Sequence, residues 1–509
     1  MKKRYPVLTG LVFLLGGLLL YIYEPPFLIA MSRQLYDVML NITARPVQTE
    51  VVAIVDIDDA SLEEYGQWPW SRYMLADLLE RLWEQGAAVV VFDVIFVETD
   101  RTSPEKLRRE WQDRFGTEVT IHGLPEGMTN FDARMAETMQ GGPVVLGCFM
   151  DFTRPPPRIP PQDHSVHYQG HYFEMGQPDR SWLPQAGAVL YPIDALSASA
   201  ASSAFINTLP DDDNVIRRTP LLIAYGPSRI YASLSLEATR LYLGEPNFGL
   251  VYDMAGTDGI QKIKMRAGEI PTDRNGRFFI NYRSTRFPAW PVSKVLKNQV
   301  PAGALQDRIV FIGTSAAGML DLRTTPMRED FPGVEVHATV VDNIFAGDIL
   351  REPRWVFYAN FFAILFGGIL LTLLVTCTPA LFSFLVMALA DSFVIASSFW
   401  MLKAWQLVAL PFETVFIWGG VFLGVIGVKY WQEEREQQKV RNMFGTMVSS
   451  SVLRYLEENP GSFSLSGAKA EATMFFSDVA GFTTISESIT PEQLAELLNR
   501  YLSPMTKVI

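Results

Sequence analysis

With 509 residues the chain is too long for one compact core, so two or more domains are expected. A hydrophobic fraction of 49% beside 19% charged residues points to apolar blocks next to ordinary globular sequence, and a net charge of -12 with no polybasic run excludes a nucleic-acid partner. Cys148 stands alone in the large soluble segment and Cys377 falls in an apolar block, so no disulfide forms within that segment.

Four apolar runs are each near the ~20 residues that a helix needs to cross a bilayer. The first, Val7 to Tyr23, follows Lys2, Lys3 and Arg4 and is succeeded by Glu24 and Pro25. No small-residue cleavage site follows it, which favours an uncleaved anchor over a signal peptide. The others run from about Trp355 to Val375, Ala380 to Met401 and Leu407 to Val428. Bases before the first run, and Lys429, Arg435, Lys439 and Arg441 after the last, predict a multi-pass protein of the cell membrane with both ends cytoplasmic. The lipid bilayer is then a partner, and the segment from 27 to 354 lies outside the cytoplasm. Asp391 and Glu413 fall inside spans, where a lone carboxylate is costly. Each is expected to face the bundle interior as a protonated group bonded to a neighbouring helix, in preference to forming an ion path.

The outer segment reads as an α/β domain. Val51 to Val55, Ala88 to Phe92 and Arg308 to Ile312 are short β-branched runs of the kind covered on both faces. Between the first two, Leu75, Leu78, Leu79 and Leu82 recur at helical spacing over Arg72 to Glu84, with Gly86 as a stop, giving a β-α-β unit. A second helical pattern covers Ser233 to Leu243, and Pro155 to Pro161 read as an exposed loop. Gly313 to Gly318 follow a strand but lack the Lys-Ser/Thr of a phosphate loop, so a tight strand-to-helix turn is expected. Asp211, Asp212 and Asp213 lack the alternating ligand spacing of a calcium loop and read as a solvated turn. Asp56, Asp58, Asp59 and Asp93 at strand ends suit either a ligand crevice or helix caps. His164, His167 and His171 crowd one Pro-rich loop; they form a weak zinc or nickel hypothesis, with solvated imidazoles as the expected alternative.

Several of these pieces are collinear with a known family. Ile54 to Asp58, Trp68-Pro69-Trp70-Ser71-Arg72 and Phe92 to Phe96 resemble the opening of the CHASE sensor domain of the second type. Asp211 to Leu221, Ile312 to Gly318, Asp321 and Pro332 to Ala338 follow in that family's order. The resemblance implies an extracytoplasmic sensor, over roughly 27 to 354, ahead of a cluster of spans and responding to an unknown extracellular ligand.

After the last span a charged helical connector is expected from 429 to 461. Thr473 to Phe476 then read as a strand that puts Asp478 at its carboxyl end, the usual position of ligand residues. Gly481 permits a tight turn, and the amides of Phe482 and Thr483 suit phosphate at a helix start. The run Phe476-Ser477-Asp478-Val479-Ala480-Gly481-Phe482-Thr483 closely resembles the first metal-binding motif of class III adenylate or guanylate cyclases, departing from it at Val479 and Ala480. That resemblance implies an α+β domain beginning near 462. It implies that Asp478, with the carbonyl of Val479, binds two divalent cations, Mg2+ or Mn2+. It also implies a nucleoside triphosphate substrate, ATP or GTP, and a homodimer. Thr490 with Gln493 makes a capping box, and Leu494, Leu497, Leu498, Tyr501 and Met505 share one helix face. The family's second metal-binding Asp and its base-selecting residues are expected beyond Ile509, so the chain by itself is expected to be inactive. The sequence therefore divides into an anchor (1–26), a sensor (27–354), three spans (355–428), a connector (429–461) and the first part of a cyclase domain (462–509). A receptor without catalysis is the competing class.

Overall fold

The computed structural model describes residues 4–125, 127–157, 170–253, 259–316, 319, 321–447 and 473–508. It separates into two units, Met1–Tyr430 and Trp431–Ile509.

In the first unit the N-terminal apolar run forms helix α1 (Arg4–Tyr23). Pro25 and Pro26 interrupt it, and Pro26 opens a second helix, α2 (Pro26–Thr43), because a fixed φ suits a first helical position. Helix α2 buries Leu28, Ser32, Tyr36, Met39 and Leu40 along one face. There follow β1 (Val52–Ile57), α3 (Arg72–Glu84), β2 (Val89–Ile95), β3 (Val144–Asp151), β4 (Ser202–Phe205) and α4 (Leu234–Tyr242). The series continues through β5 (Ala289–Pro291), β6 (Ile309–Thr314), α5 (Gly333–Ala346), α6 (Arg354–Cys377), α7 (Ala380–Trp405) and α8 (Phe412–Met447).

The central sheet has the order β5-β1-β6-β2-β3, with β4 parallel to β3 and Ala188–Leu190 antiparallel to it. Strand β6 lies between β1 and β2, pairing Ile309 with both Val52 and Val89. The β-α-β unit expected from sequence is therefore bridged by a strand from far along the chain. Two-sided burial follows from the pleat. Val55, Val90, Phe92 and Ile312 pack with Leu75, Leu78, Leu79 and Leu82 of α3 on one face. Val52, Ile54, Val91 and Phe311 pack with Leu234 and Ala238 of α4 and Val334 and Val341 of α5 on the other.

Among the described residues one buried charge is met by a matched group. Arg283, with 1% of its side chain exposed, donates to Asp342 at 2.6 Å and to Asp348 at 2.6 Å. Asp342 also accepts from the Thr49 amide at 2.8 Å, so one cluster joins α5 to the segment leading into β1.

Among the described residues four helices, α1, α6, α7 and the first part of α8, are long and apolar enough to cross a membrane. Small residues bring three of them together. A Cβ on Gly10 would fall 2.4 Å from Thr372, one on Gly17 2.4 Å from Ile417 and one on Gly368 2.5 Å from Leu14. Lys429 near the far end of this bundle donates to the carbonyls of Val375 at 3.2 Å and Thr378 at 2.7 Å, capping α6. Helix α7 is peripheral: only 6% of its apolar window is buried, against 28% for α6.

In the second unit, residues 473–479 form no strand, which corrects the strand expected over Thr473 to Phe476. No neighbouring strand accepts their amides among the described residues, and Met474, Phe475 and Phe476 are exposed. Helices Phe482–Ser488 and Pro491–Val508 follow. The capping box is formed: the Thr490 amide donates to Gln493 Oε1 at 3.2 Å, and the Gln493 amide to Thr490 Oγ1 at 3.4 Å.

Candidate functional site

The carboxyl ends of β1, β6 and β2 carry the acidic residues that the sequence places at strand ends. Asp56 of β1 accepts from Ser315 just past β6, through its amide at 2.8 Å and its hydroxyl at 2.5 Å. Asp58 accepts from the Ser61 amide at 2.9 Å and caps helix Asp59–Tyr65, so its role is structural; Asp59 is exposed. Asp93 in β2 interacts with Asp321 and Arg323, and Arg323 donates to Asp321 at 2.8 Å.

Asp321 is seated against the start of α5. Gly333 donates its amide to the Asp321 carbonyl at 2.9 Å, and a Cβ there would lie 2.6 Å from Asp321 Oδ2. Only glycine lets that carboxyl approach the positive end of the helix.

Burial pushes Asp93 up to about 7 and, with Asp93 adding, Asp321 up to about 6. Burial also raises Asp56 against the two bonds from Ser315, and drives His337 down to about 4. His337 is therefore neutral near pH 7, its Nδ1 3.0 Å from the Ser235 hydroxyl. These strand ends thus set two carboxyls of raised pKa beside the exposed guanidinium of Arg323. Among the described residues no group of three His, Cys, Asp or Glu is placed to hold a metal ion.

One expectation for this region is corrected, and another falls partly outside the described residues. Gly313 lies within β6, the Met319 amide donates to the Ala316 carbonyl at 3.0 Å, and the next long helix begins at Gly333; Ala317 and Gly318 of the expected strand-to-helix turn lie outside the described residues. The Asp211 to Asp213 segment is a turn but not a fully solvated one. Arg217, with 4% of its side chain exposed, pairs with Asp211 at 3.2 Å, Asp213 at 2.9 Å and Asp37 of α2 at 2.6 Å, while Asp212 stays exposed. Of the histidines, His164 and His167 lie outside the described residues. His171 is half-buried, 3.8 Å from Glu237, and desolvation lowers its pKa although Glu237 opposes this.

Within the spans, Glu413 accepts from the Ser32 hydroxyl of α2, the neighbouring-helix bond expected from sequence. Asp391 differs: its Oδ1 is buried with no hydrogen-bond partner, on the peripheral helix α7. Ser32, Tyr36 and Asp37 went unread in the sequence; the apolar spacing of Leu28, Tyr36, Met39 and Leu40 after Pro25-Pro26 is the signal that marks their helix.

In the second unit Asp478 is exposed and accepts from the Val479 amide at 2.8 Å. Gly481 adopts φ 70 and opens the helix at Phe482, with the Phe482 amide donating to the Val479 carbonyl at 3.1 Å. Asp478, Val479, Gly481, Phe482 and Thr483 are thus gathered at one turn, with one carboxylate among them and no second ligand strand beside it among the described residues.

The sensor's signature residues are the ones the fold uses most heavily. Trp70 is buried, Arg72 stacks 4.5 Å over the Phe96 ring, and the Arg72 amide donates to Asp100 at 2.6 Å. Residues 10–377 match the family model of the CHASE2 domain. The chain belongs to the CHASE2 family. The CHASE2 match takes in most of α1 and all of α6, the pair packed through Gly10 and Gly368, as well as the outer α/β domain. No curated protein and no solved structure matches the chain. CHASE2 membership makes it a sensor for signalling that carries candidate membrane spans.

Proposed function

We propose that this CHASE2 protein is a multi-pass receptor whose sensor faces away from the cytoplasm and whose cytoplasmic output is a class III nucleotide cyclase. The observation that carries the reading is the motif Phe476 to Thr483 placed after a CHASE2 sensor and four apolar helices. In the proposed reaction Asp478 would help to hold two divalent cations, whose charge would lower the pKa of the ribose 3′-hydroxyl and offset that of the triphosphate of ATP or GTP as pyrophosphate leaves. Asp478 and the Val479 carbonyl would hold the metals, and the amides after Gly481 would meet phosphate. Such a site needs more than one carboxylate, so further groups come from elsewhere in a dimer.

The test is cyclic nucleotide production, with Mg2+ or Mn2+, in cells lacking their own cyclases and carrying the entire reading frame that contains this sequence. Asp478→Ala is expected to abolish it, at least a thousandfold, with membrane insertion unchanged. Activity that survives Asp478→Ala would show that the metal site is assigned to the wrong residue, and absence of activity from the parent would favour a receptor without catalysis. Topology has its own check: reporters fused after Asp151 and after Gly461 are expected on opposite sides of the membrane, the first outside.

A further inference from the structure

A cavity of about 470 Å3 lies where α2 meets the sensor-facing ends of the spans, a size that suits a small organic ligand. Leu28 and Leu410 belong to its apolar lining, and Arg33, Tyr36, Arg218, Glu352 and Glu413 to its polar lining, with Arg33 paired to Asp212 at 3.6 Å.

The charges around it are unevenly satisfied. Arg217 is held by Asp37 at 2.6 Å, and Arg277 by Asp273 at 2.8 Å. Arg218 pairs with Glu352 and stacks 4.4 Å over the Phe279 ring. Two carboxylates on the same wall, Glu24 and Glu413, have no cation within ion-pair distance among the described residues; Glu413 has only the Ser32 hydroxyl. An independent observation points the same way. The Tyr36 hydroxyl, on a side chain 1% exposed, is buried against this cavity with no hydrogen-bond partner. A buried polar group without a partner is costly unless something occupies the space before it.

We propose that the cavity binds a small organic cation, a protonated amine on an apolar body, with its N–H groups directed to Glu413 and Tyr36. Burial holds the Tyr36 phenol well above its usual titration range, so it stays neutral and accepts through its oxygen. An anion would meet Glu24 and Glu413 while every guanidinium named is already engaged. A bare metal ion would leave the apolar end unfilled. Binding at this place would bear on α2, α8 and the strand region around Arg217 and Arg218 together, joining the sensor to its spans. The proposal concerns what the sensor recognises and is read without any cyclic nucleotide, so it stands or falls apart from the cyclase reading.

The experiment uses the 509-residue chain in phosphatidylcholine nanodiscs, with n-hexylammonium as probe and hexanoate as control, followed by thermal unfolding and calorimetry. A saturable rise in Tm with hexylammonium and none with hexanoate is expected. Glu413→Gln is expected to weaken binding at least tenfold, and Tyr36→Phe about threefold or more. Since Glu413 lies in a span, Glu24→Gln at the helix junction serves as a second variant, with a loss of a few fold. No saturable response, an equal response to hexanoate, or affinities unchanged in both glutamate variants would overturn the site.

Discussion

Two aspartates at motif positions, Asp56 and Asp478, sit in very different surroundings. Asp56 ends a central parallel strand, and the neighbouring strand delivers Ser315 to both its oxygens. Asp478 follows a stretch without a strand, among side chains such as Phe476 at 89% exposed, and its one bond is to the next amide in the chain. The difference teaches that a motif supplies ligand chemistry while a packed sheet supplies its geometry. A carboxylate is positioned by what lies on the adjacent strand, and here that strand, β6, comes from far along the sequence.

The comparison breaks most readily at the buried charges of the sensor. Arg283→Ala leaves Asp342 buried without its cation and Asp348 with only Arg45 at 3.3 Å, and a loss of ~3–5 kcal/mol is expected in denaturant unfolding followed by tryptophan fluorescence. A change below 1 kcal/mol would show that the cluster does not hold α5 in place. Next comes close packing. Gly313→Ala places a Cβ 2.5 Å from that of Val334, at a cost of about 1–3 kcal/mol in denaturant unfolding.

A smaller effect depends on pH. The folded-state pKa of Asp93, about 7, lies above its ordinary 3.8, so between these values the native chain binds a proton that the unfolded chain has released. Stability from this group is present below that window and declines as pH rises through it. His337 has the opposite sign: with a folded value of about 4 against 6.5, it makes stability rise with pH across that interval. The difference between parent and Asp93→Asn isolates the aspartate. The variant is expected to gain about 3 °C in Tm at pH 8 relative to pH 5, compared with the parent. Parallel Tm profiles would refute the protonated carboxyl. The smallest effect is at the other aspartate: Asp478→Asn should shift the stability of the chain by less than ~0.5 kcal/mol, since its side chain is exposed. A larger shift would mean that Asp478 is packed after all.

Much of the sensor is legible in its residues because its elements are strongly patterned. Helix α3 has the predicted bounds, Arg72 to Glu84, since leucines at helical spacing lie between a serine cap and Gly86. The three apolar runs became β1, β2 and β6 because burial on both faces demands such sequences. Their order was not legible, as pairing depends on partners that no local pattern names. Helix α2 escaped notice because its buried Ser32 and the adjacent Pro25-Pro26 break the look of an apolar stripe. The crevice was legible as a row of aspartates, but not the division of labour within it. That division rests on Asp58 accepting from the Ser61 amide and on Gly333 making room for Asp321.

The bond from Lys429 to the last carbonyls of α6 has a mechanical meaning. Helix α6 leaves the sensor only a few residues past α5, so any tilt of the α/β domain pulls on it directly. Because its far end is tethered to α8 by an ammonium group shared between two carbonyls, α6 cannot slide as a lone piston without stripping that cation of its partners. A displacement of α6 is therefore expected to carry α8 with it through Lys429.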